Sequence, residues 1–248
     1  MGAFAKLGKF LKKQMAGMRA DDPRDAYIAG VARGRSFAEV GGLWGTVNEK
    51  ISVAHKHGAS ALTMIDVTPP GHELWRLFEE RRRALGLPEV QCISANALTF
   101  ANTSPVGSFD VVHCSGVLYH MPEPMSLLQA LRKISRKHLV LASSVTGTSV
   151  RSKEGVLQVP PGAALFIPGL QARERAIIKS YWRPFVGDTA LGLTREVPSW
   201  RIDDYGPWWW LPTVDALKAM CEAAGFRFEE GAYLWNDNAY VLLLSVVE

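Results

Sequence analysis

The chain has only three cysteines among its 248 residues, and nothing in their placement links them. Cys92, Cys114 and Cys221 are widely separated, and no C-x-x-C pair occurs. An odd, scattered set argues against a disulfide framework and a zinc site, so we expect a reducing compartment, the cytoplasm. Long apolar runs are also missing, since none approaches the roughly 18 residues of a membrane-spanning helix. The basic N-terminus likewise lacks the apolar segment of a secretory signal.

Basic residues exceed acidic ones only slightly, with a net charge of +4. The cations concentrate in Arg81-Arg82-Arg83 and within residues 132–137. Neither cluster has aromatic side chains between its cations, which a nucleic-acid-binding surface uses to stack on bases. We interpret both clusters as solvated helix faces and predict no nucleic-acid partner.

Hydrophobic residues make up 48% of the chain, enough for one domain with a full core. From residue 36 onwards, apolar runs alternate with segments of helical periodicity, which predicts βαβ units. The predicted strands are residues 36–40, 61–67, 90–94, 109–115, 138–144, 226–230 and 239–247, and the predicted helices are residues 23–32, 46–57, 72–85, 124–135 and 213–224. This order indicates an α/β fold with a doubly wound, seven-stranded, mostly parallel sheet that ends in an antiparallel hairpin.

Two segments lie outside this alternation. Residues 4–18 have apolar side chains at helical spacing between lysines, which predicts an amphipathic helix. Such a helix either packs on the domain as a lid or lies on a membrane surface. Whether the chain forms a homodimer is a separate question that the sequence leaves open. Residues 146–212 are rich in glycine and proline, contain one predicted helix at 171–181, and are interpreted as an inserted substrate cap. We therefore divide the chain into an N-terminal helical segment, residues 1–35, and a main domain, residues 36–248.

A glycine-rich turn follows the first predicted strand. Gly41, Gly42 and Gly45 form it, and Glu39 precedes the first glycine by two positions. Glycines let the backbone approach a ligand closely, and the next helix directs free N–H groups toward it. The spacing is G-G-x-x-G with Leu43 in the centre, unlike the G-x-G-x-x-G of dinucleotide-binding turns. A tight turn without a ligand is the alternative.

Polar residues also follow the next two strands. Asp66 lies near the end of the second predicted strand, where a carboxylate can accept hydrogen bonds from both ribose hydroxyls of a nucleoside. Asn96 and Ala97 follow the third strand. A helix cap or a surface position is the alternative for Asp66.

The fourth predicted strand ends at Ser115 and turns through Gly116 into Tyr119 and His120. Open α/β sheets bind their ligands at the carboxyl ends of strands, so we expect chemistry here. The glycine turn, Asp66, Asn96 and this segment follow one another along the chain. Together they resemble the class I S-adenosylmethionine (SAM)-dependent methyltransferases, in their small-molecule branch.

The resemblance covers residues 36–145 and 211–247 and implies a Rossmann-like domain that binds SAM. Leu43 replaces the family's middle glycine, and Asn96 stands where the family usually has aspartate. The asparagine carbonyl can still accept from the adenine amino group. The cofactor-binding residues that the resemblance implies are Glu39, Gly41, Gly42, Gly45, Asp66, Asn96, Ala97, Ser115 and Gly116.

His120 is the candidate catalytic residue, because it lies just beyond the strand end and imidazole accepts protons near neutrality. The alternative is that it only holds the loop or the cofactor. Tyr119, Tyr181, Trp208 and Trp209 are the candidate substrate-binding residues, since aromatic rings stack on flat rings and sugar faces. No acidic pair follows the fourth strand as a divalent cation would require, so the site is predicted to work without a metal.

The leading hypothesis is a SAM-dependent methyltransferase that methylates a hydroxyl of a small molecule, a sugar or a secondary metabolite. An RNA-base-modifying enzyme is the first alternative, favoured by the basic clusters. A non-catalytic module that binds SAM or a partner protein is the second, suggested by Leu43 and Asn96.

Overall fold

The structure is a computed structural model that describes residues 22–45, 50–186, 200–201 and 207–247. Its strands are β1 (Ser36–Val40), β2 (Ala61–Asp66), β3 (Gln91–Ser94), β4 (Phe109–Ser115), β5 (Ser135–Ser144), β6 (Ser149–Ser152), β7 (Gly155–Gln158), β8 (Ala164–Phe166), β9 (Trp210–Pro212), β10 (Phe226–Leu234) and β11 (Ala239–Val246). Seven of them form one sheet in the order β3-β2-β1-β4-β5-β11-β10. The first five are parallel, whereas β11 runs antiparallel to both β5 and β10. The predicted fold class is confirmed.

Helices cover both faces of this sheet. They are α1 (Pro23–Val31), α2 (Ile51–Lys56), α3 (Glu73–Ala84), α4 (Ala97–Thr103), α5 (Pro124–Ile134), α6 (Ala172–Trp182) and α7 (Val214–Ala223). Apolar side chains of α1, α2 and α3 pack in one buried cluster, and those of α4, α5 and α7 in another. Strand β5 serves both clusters, since alternate residues of a strand point to opposite faces. Within the described ranges, no helix is long and apolar enough to cross a membrane.

Several local predictions were wrong. The helix predicted over 46–57 begins at Ile51, after a non-helical Lys50, and β10 extends four residues beyond its predicted end, to Leu234. No helix was predicted between β3 and β4, but the structure has α4 there, with Asn96 as its N-cap. The helical periodicity is weak there because, of these seven residues, only Ala101 is fully buried. Strand β5 begins at Ser135, three residues earlier than predicted, directly after α5. The amphipathic helix predicted over residues 4–18 lies outside the described residues.

The inserted segment forms a small layer of its own, which we call the cap. Strands β6 and β7 form a hairpin, β8 pairs with β9, and α6 packs against β6. The predicted helix is present, but the strands were not foreseen. A separate hydrophobic cluster holds the cap together around Trp182 and Trp208, and Tyr119 of the main domain belongs to it. The cap therefore rests directly on the loop that follows β4.

Candidate active site

The carboxyl ends of β1, β2 and β4 meet at one edge of the sheet. Val40, the last residue of β1, is aligned in the parallel ladders with the residues that precede Asp66 and Ser115. Gly41, Asp66 and Ser115 therefore lie side by side. Because β2 and β4 flank β1 on opposite sides, this is the topological switch point of the sheet, where open α/β folds bind ligands.

The glycine turn is pressed against the loop after β4. Gly41 has φ +78° and donates its N–H to the Ile65 carbonyl at 2.9 Å. A Cβ on Gly41 would lie about 2.4 Å from Val117 Cγ2, and one on Gly42 would lie 2.6 Å from Glu39 Oε1. Neither position accepts a side chain without displacing a neighbour. Both glycines are therefore required by the packing of the turn itself.

Glu39 is buried, and its carboxylate caps the start of α2. Oε2 accepts hydrogen bonds from the Lys50 N–H at 2.6 Å and the Ile51 N–H at 3.1 Å. Oε1 lies 3.4 Å from His113 Nδ1, inside the protein. The acidic residue of the glycine turn thus holds α2 in place, and its direct contact with a cofactor stays a prediction.

Asp66 joins the end of β2 to the glycine turn. Oδ2 accepts from the Leu43 N–H at 3.1 Å, and Oδ1 accepts from the N–H and hydroxyl of Thr68 at 2.9 and 2.6 Å. The Leu43 side chain is fully buried in the core beneath the turn. Leucine at the family's middle-glycine position is therefore part of the core, while its backbone N–H still reaches the acidic residue.

Two large apolar side chains stand exposed beside this carboxylate. Trp44, in the short 3₁₀ turn Leu43–Gly45, is 66% exposed, and Val67, directly after Asp66, is 57% exposed. Exposed apolar surface of this size next to buried polar groups is typical of ligand sites.

Asn96 lies next to Asp66, because the Ala95 N–H donates to the Asp66 carbonyl at 2.9 Å. Its Oδ1 accepts from the Leu98 N–H at 2.8 Å and caps α4, whose first residue is Ala97. The amide oxygen that was expected to face an adenine amino group is thus used by the helix. A contact with a cofactor would draw on the amide nitrogen or on the second lone pair of the oxygen.

Arg24 forms a side-chain hydrogen bond with Ser115 and was not identified from the sequence. Its Nη1 donates to Ser115 Oγ at 3.0 Å, although the two residues are 91 positions apart. Gly116, with φ +77°, donates its N–H to the Ala142 carbonyl at 3.0 Å and turns the chain away from the sheet. The only sequence signal for Arg24 was its place in the first turn of a helix capped by Asp22.

Tyr119 forms the floor of the site. A Cβ on Gly116 would lie 3.5 Å from its hydroxyl oxygen, so that hydroxyl is directed at the turn. Burial raises the pKa of Tyr119 to about 12, with smaller opposing effects from a hydrogen bond with Ser144 and from the charge of Arg24. The phenol is therefore neutral at ordinary pH and acts as a hydrogen-bonding group, not as a base.

His120 is held by the chain that returns from the cap. Its Nδ1 lies 3.1 Å from the Pro207 carbonyl oxygen, and its ring packs against Tyr119 with centroids 4.4 Å apart and planes tilted by 43°. A carbonyl only accepts, so Nδ1 carries the proton and the lone pair of the neutral ring is on Nε2. Orienting an imidazole in this way is what a general base requires. Pro207 was not identified from the sequence.

The other aromatic candidates lie within the cap. The Tyr181 hydroxyl donates to Asn238 Oδ1 at 2.7 Å and so ties α6 to the turn between β10 and β11. Trp208 and Trp209 are buried; Trp208 packs against Tyr119 with centroids 4.6 Å apart. Trp208 belongs to the hydrophobic cluster of the cap, and Trp209 packs against Trp200 with ring centroids 4.9 Å apart. Their contact with a substrate stays a prediction.

The structure thus brings most of the predicted cofactor residues together at one edge of the sheet, with His120 and Tyr119 beside them. Among the described residues, no three His, Cys, Asp or Glu side chains cluster as a metal site would.

A family profile described as a methyltransferase domain matches residues 40–230, more than half of the chain. The chain belongs to this family. The predicted recognition is confirmed: the protein is a methyltransferase, and its sheet is that of the class I SAM-dependent enzymes. No curated protein matches it in sequence.

Solved structures similar to this methyltransferase share its fold at low sequence identity. Magnesium protoporphyrin IX methyltransferase from Synechocystis, with bound S-adenosylhomocysteine (SAH), has a TM-score of 0.55 and 13% identity, over 90% of this chain and 81% of that one. A 1,6-didemethyltoxoflavin-N1-methyltransferase from Burkholderia thailandensis has a TM-score of 0.53 and 11% identity, over 97% and 87%. A putative methyltransferase from Bacillus halodurans has a TM-score of 0.58 and 11% identity, over 90% and 97%.

Proposed function

We propose that this methyltransferase transfers the methyl group of SAM to a hydroxyl of a small molecule, with His120 as the general base. The observation that carries the proposal is the pair of contacts on His120. The Pro207 carbonyl accepts from its Nδ1–H, and the tilted Tyr119 ring packs against the imidazole, beside Gly116 at the carboxyl end of β4. A hydroxyl needs to lose its proton as it is methylated, and an oriented imidazole is suited to accept it.

The residues at the sheet edge fit the cofactor. SAM, when bound, supplies an electrophilic methyl group. Asp66 offers a carboxylate at the end of β2 for ribose hydroxyls, and the exposed Val67 and Trp44 offer apolar surface for the adenine ring. Gly41 (φ +78°) and Gly116 (φ +77°) turn the backbone at the ends of β1 and β4 in a conformation that favours glycine. The chain's own task is to align the two reactants and exclude water.

A small-molecule acceptor is supported by what similar folds act on. Two of the similar structures are methyltransferases named for magnesium protoporphyrin IX and 1,6-didemethyltoxoflavin. The cap packs directly against Tyr119, the neighbour of His120, and so lies where an acceptor would be held.

The test is a comparison of His120→Ala with His55→Ala, an exposed histidine on α2. SAH formation is first measured with panels of phenols, sugars, aliphatic alcohols and amines, and the best acceptor is then used for both variants. His120→Ala is expected to lower turnover by about 10²–10⁴-fold while SAH binding, measured by calorimetry, is kept. His55→Ala is expected to behave like the wild type.

Turnover of His120→Ala at the wild-type rate would exclude the general-base role. A preference for amines over hydroxyls would reassign the acceptor atom but leave the cofactor site unchanged.

A further inference from the structure

A cavity of about 480 Å³ opens on the surface of the cap, between the β6–β7 hairpin and the last turn of α6. Its volume is within the range of small-molecule sites. Three cations, two serine hydroxyls and one aromatic ring contribute to its lining: Arg151, Lys153, Arg183, Ser152, Ser180 and Tyr181. Among the described residues, no carboxylate belongs to this lining, so the cavity is suited to an anionic group.

The cations of the cavity come from two elements that are distant in the sequence. Arg151 and Lys153 belong to the hairpin, whereas Arg183 directly follows α6. A cation at the end of a helix is stabilised by the helix dipole, which explains Arg183 without a ligand. The two hairpin cations lie in no helix, so the dipole does not explain them.

Carboxylates balance the hairpin cations less closely than they balance the arginine cluster of α3. In α3, Glu79 Oε2 lies 2.6 Å from Arg82 Nε. In the hairpin, Glu154 Oε1 lies 3.7 Å from Lys153 Nζ, and both side chains are exposed, so this pair is weak. Within the parts of the chain that the structure describes, Arg151 has no ion-pair partner. The hairpin therefore keeps positive charge at the mouth of the cavity.

Hydroxyl groups add hydrogen-bond donors to this charge. Ser152 Oγ accepts from the Glu154 N–H at 3.1 Å, which leaves its own hydrogen to donate. Tyr181 instead donates to Asn238 Oδ1 and offers the cavity its ring. Burial raises the pKa of Tyr181, and the charge of Asp237 adds to this effect, although Asp237 lies outside the lining.

Aromatic rings connect the cavity to the candidate active site. The Trp182 ring lies 5.8 Å from that of Tyr181 and 5.0 Å from that of Trp208, measured between centroids. The Trp208 ring in turn lies 6.4 Å from that of His120. A molecule whose hydroxyl reaches His120 can thus place a second group in the cavity only if it is extended.

We propose that this cavity binds a phosphate or carboxylate group of the acceptor, so that the acceptor is an extended anionic molecule. Arg151 and Lys153 supply the charge, and a guanidinium is suited to either oxyanion because its donors match two oxygens at once. The inference rests on the proposed function, since it names the substrate class of the same site. It also gives Tyr181, a predicted substrate-binding residue, a place in the wall of the cavity.

The first arm of the test measures the binding of inorganic pyrophosphate to the full chain by calorimetry. The variant Arg151→Gln/Lys153→Gln is compared with Lys56→Gln/Arg173→Gln, which removes one lysine and one arginine from exposed positions outside the cavity. Loss of the two hairpin cations is expected to weaken binding about 10-fold, whereas the control variant should match the wild type. Equal affinity in all three proteins, or no binding to the wild type, would overturn the cavity as an anion site.

The second arm extends the best acceptor from the panel above with alkyl linkers of increasing length. Each linker ends in a carboxylate or in its methyl ester, and kcat/KM is measured for both. Beyond a certain linker length, the wild type should prefer the acid, and the hairpin variant should lose about 10-fold of this preference. The control variant should keep all of it.

A preference for the acid that survives in the hairpin variant, or equal use of acid and ester by the wild type, would overturn the acceptor assignment even if pyrophosphate binds. If no compound in the panel is methylated, the proposed function fails and the acceptor assignment fails with it. That failure is distinguishable, because pyrophosphate binding needs no methyl transfer and still decides whether the cavity takes anions.

Discussion

The two halves of the site are built in different ways. At the sheet edge, carboxylates are bonded to backbone N–H groups: Glu39 to the start of α2, and Asp66 to Leu43 and Thr68. In the cap, large aromatic rings pack against one another around Trp182 and Trp208. The first half takes its geometry from the topology of the sheet. The second takes its geometry from side-chain packing within the cap.

The largest expected effect comes from truncating a buried ring in one half and asking whether the other half keeps its structure. Trp182 is almost completely buried in the cap cluster, and truncation of such a tryptophan to alanine costs about 3–5 kcal/mol. We expect Trp182→Ala to lose hydrogen-exchange protection in β6 to β9 while β1 and β4 keep theirs and SAH still binds. Phe78→Ala, which truncates an equally buried ring under the sheet, should show the opposite pattern. Simultaneous loss in both halves would mean that they unfold as one unit.

A smaller effect is expected from Gly41→Ala in the sheet half. The added Cβ would meet Val117 Cγ2 at 2.4 Å in a left-handed backbone conformation, a combination that costs about 2–4 kcal/mol. The affinity for SAH, measured by calorimetry, should fall together with the free energy of unfolding, measured by chemical denaturation. Gly30→Ala is the matched control, because no atom lies within 4 Å of its Cβ and it lies in a helix. Adding Val117→Ala to Gly41→Ala should restore part of the lost stability. No recovery in the double variant would contradict a clash between the two side chains.

The smallest effect concerns pH and the charge of Asp22, whose Oδ2 lies 2.6 Å from Arg24 Nη2 and 2.7 Å from Lys50 Nζ. Burial alone would raise the pKa of Asp22, but hydrogen bonds and charges of Arg24 and Lys50 outweigh it and hold the pKa well below its usual range. A lowered pKa in the folded state means that the ionised form stabilises the fold above the unfolded pKa, and that this contribution is lost as the pH falls. Asp22→Asn should therefore lower the unfolding free energy by about 1–2 kcal/mol near neutral pH.

The difference between wild type and Asp22→Asn should stay constant from pH 6 to 8 and shrink below about pH 4. Chemical denaturation at a series of pH values measures it. Asp25→Asn, whose side chain is about half exposed and has one ion-pair partner, should show a smaller difference. If the difference in unfolding free energy between wild type and Asp22→Asn grew as the pH fell, the pKa of Asp22 could not be lowered in the folded state.

The sequence predicted the sheet well because its signals are local. The boundaries of β1 and β4 agree residue for residue, since each strand is an apolar run bounded by polar or glycine residues. The cap strands were missed for the opposite reason. β8 pairs with β9, so residues 164–166 face residues 210–212, and no pattern within either three-residue stretch reveals its partner.

The same distinction applies to the site. Asp66 and Ser115 could be foreseen, because the ends of neighbouring strands lie together in any doubly wound sheet. Arg24 and Pro207 could not, because their contacts with Ser115 and His120 span 91 and 87 positions. Such contacts depend on how α1 and the cap pack on the sheet, which is a property of the whole fold.

The return of the cap to the main domain makes specificity and reactivity hard to separate. The Trp209 N–H donates to the Tyr119 carbonyl at 2.8 Å, and two residues earlier Pro207 holds His120. A chimera that replaced the cap up to residue 206 would leave this junction intact, whereas a graft carrying residues 207–209 would also replace the support of the imidazole. Under the proposed function, we therefore expect changes of acceptor to be engineered most safely from the side of β6, β7 and α6, with the returning strand left as it is.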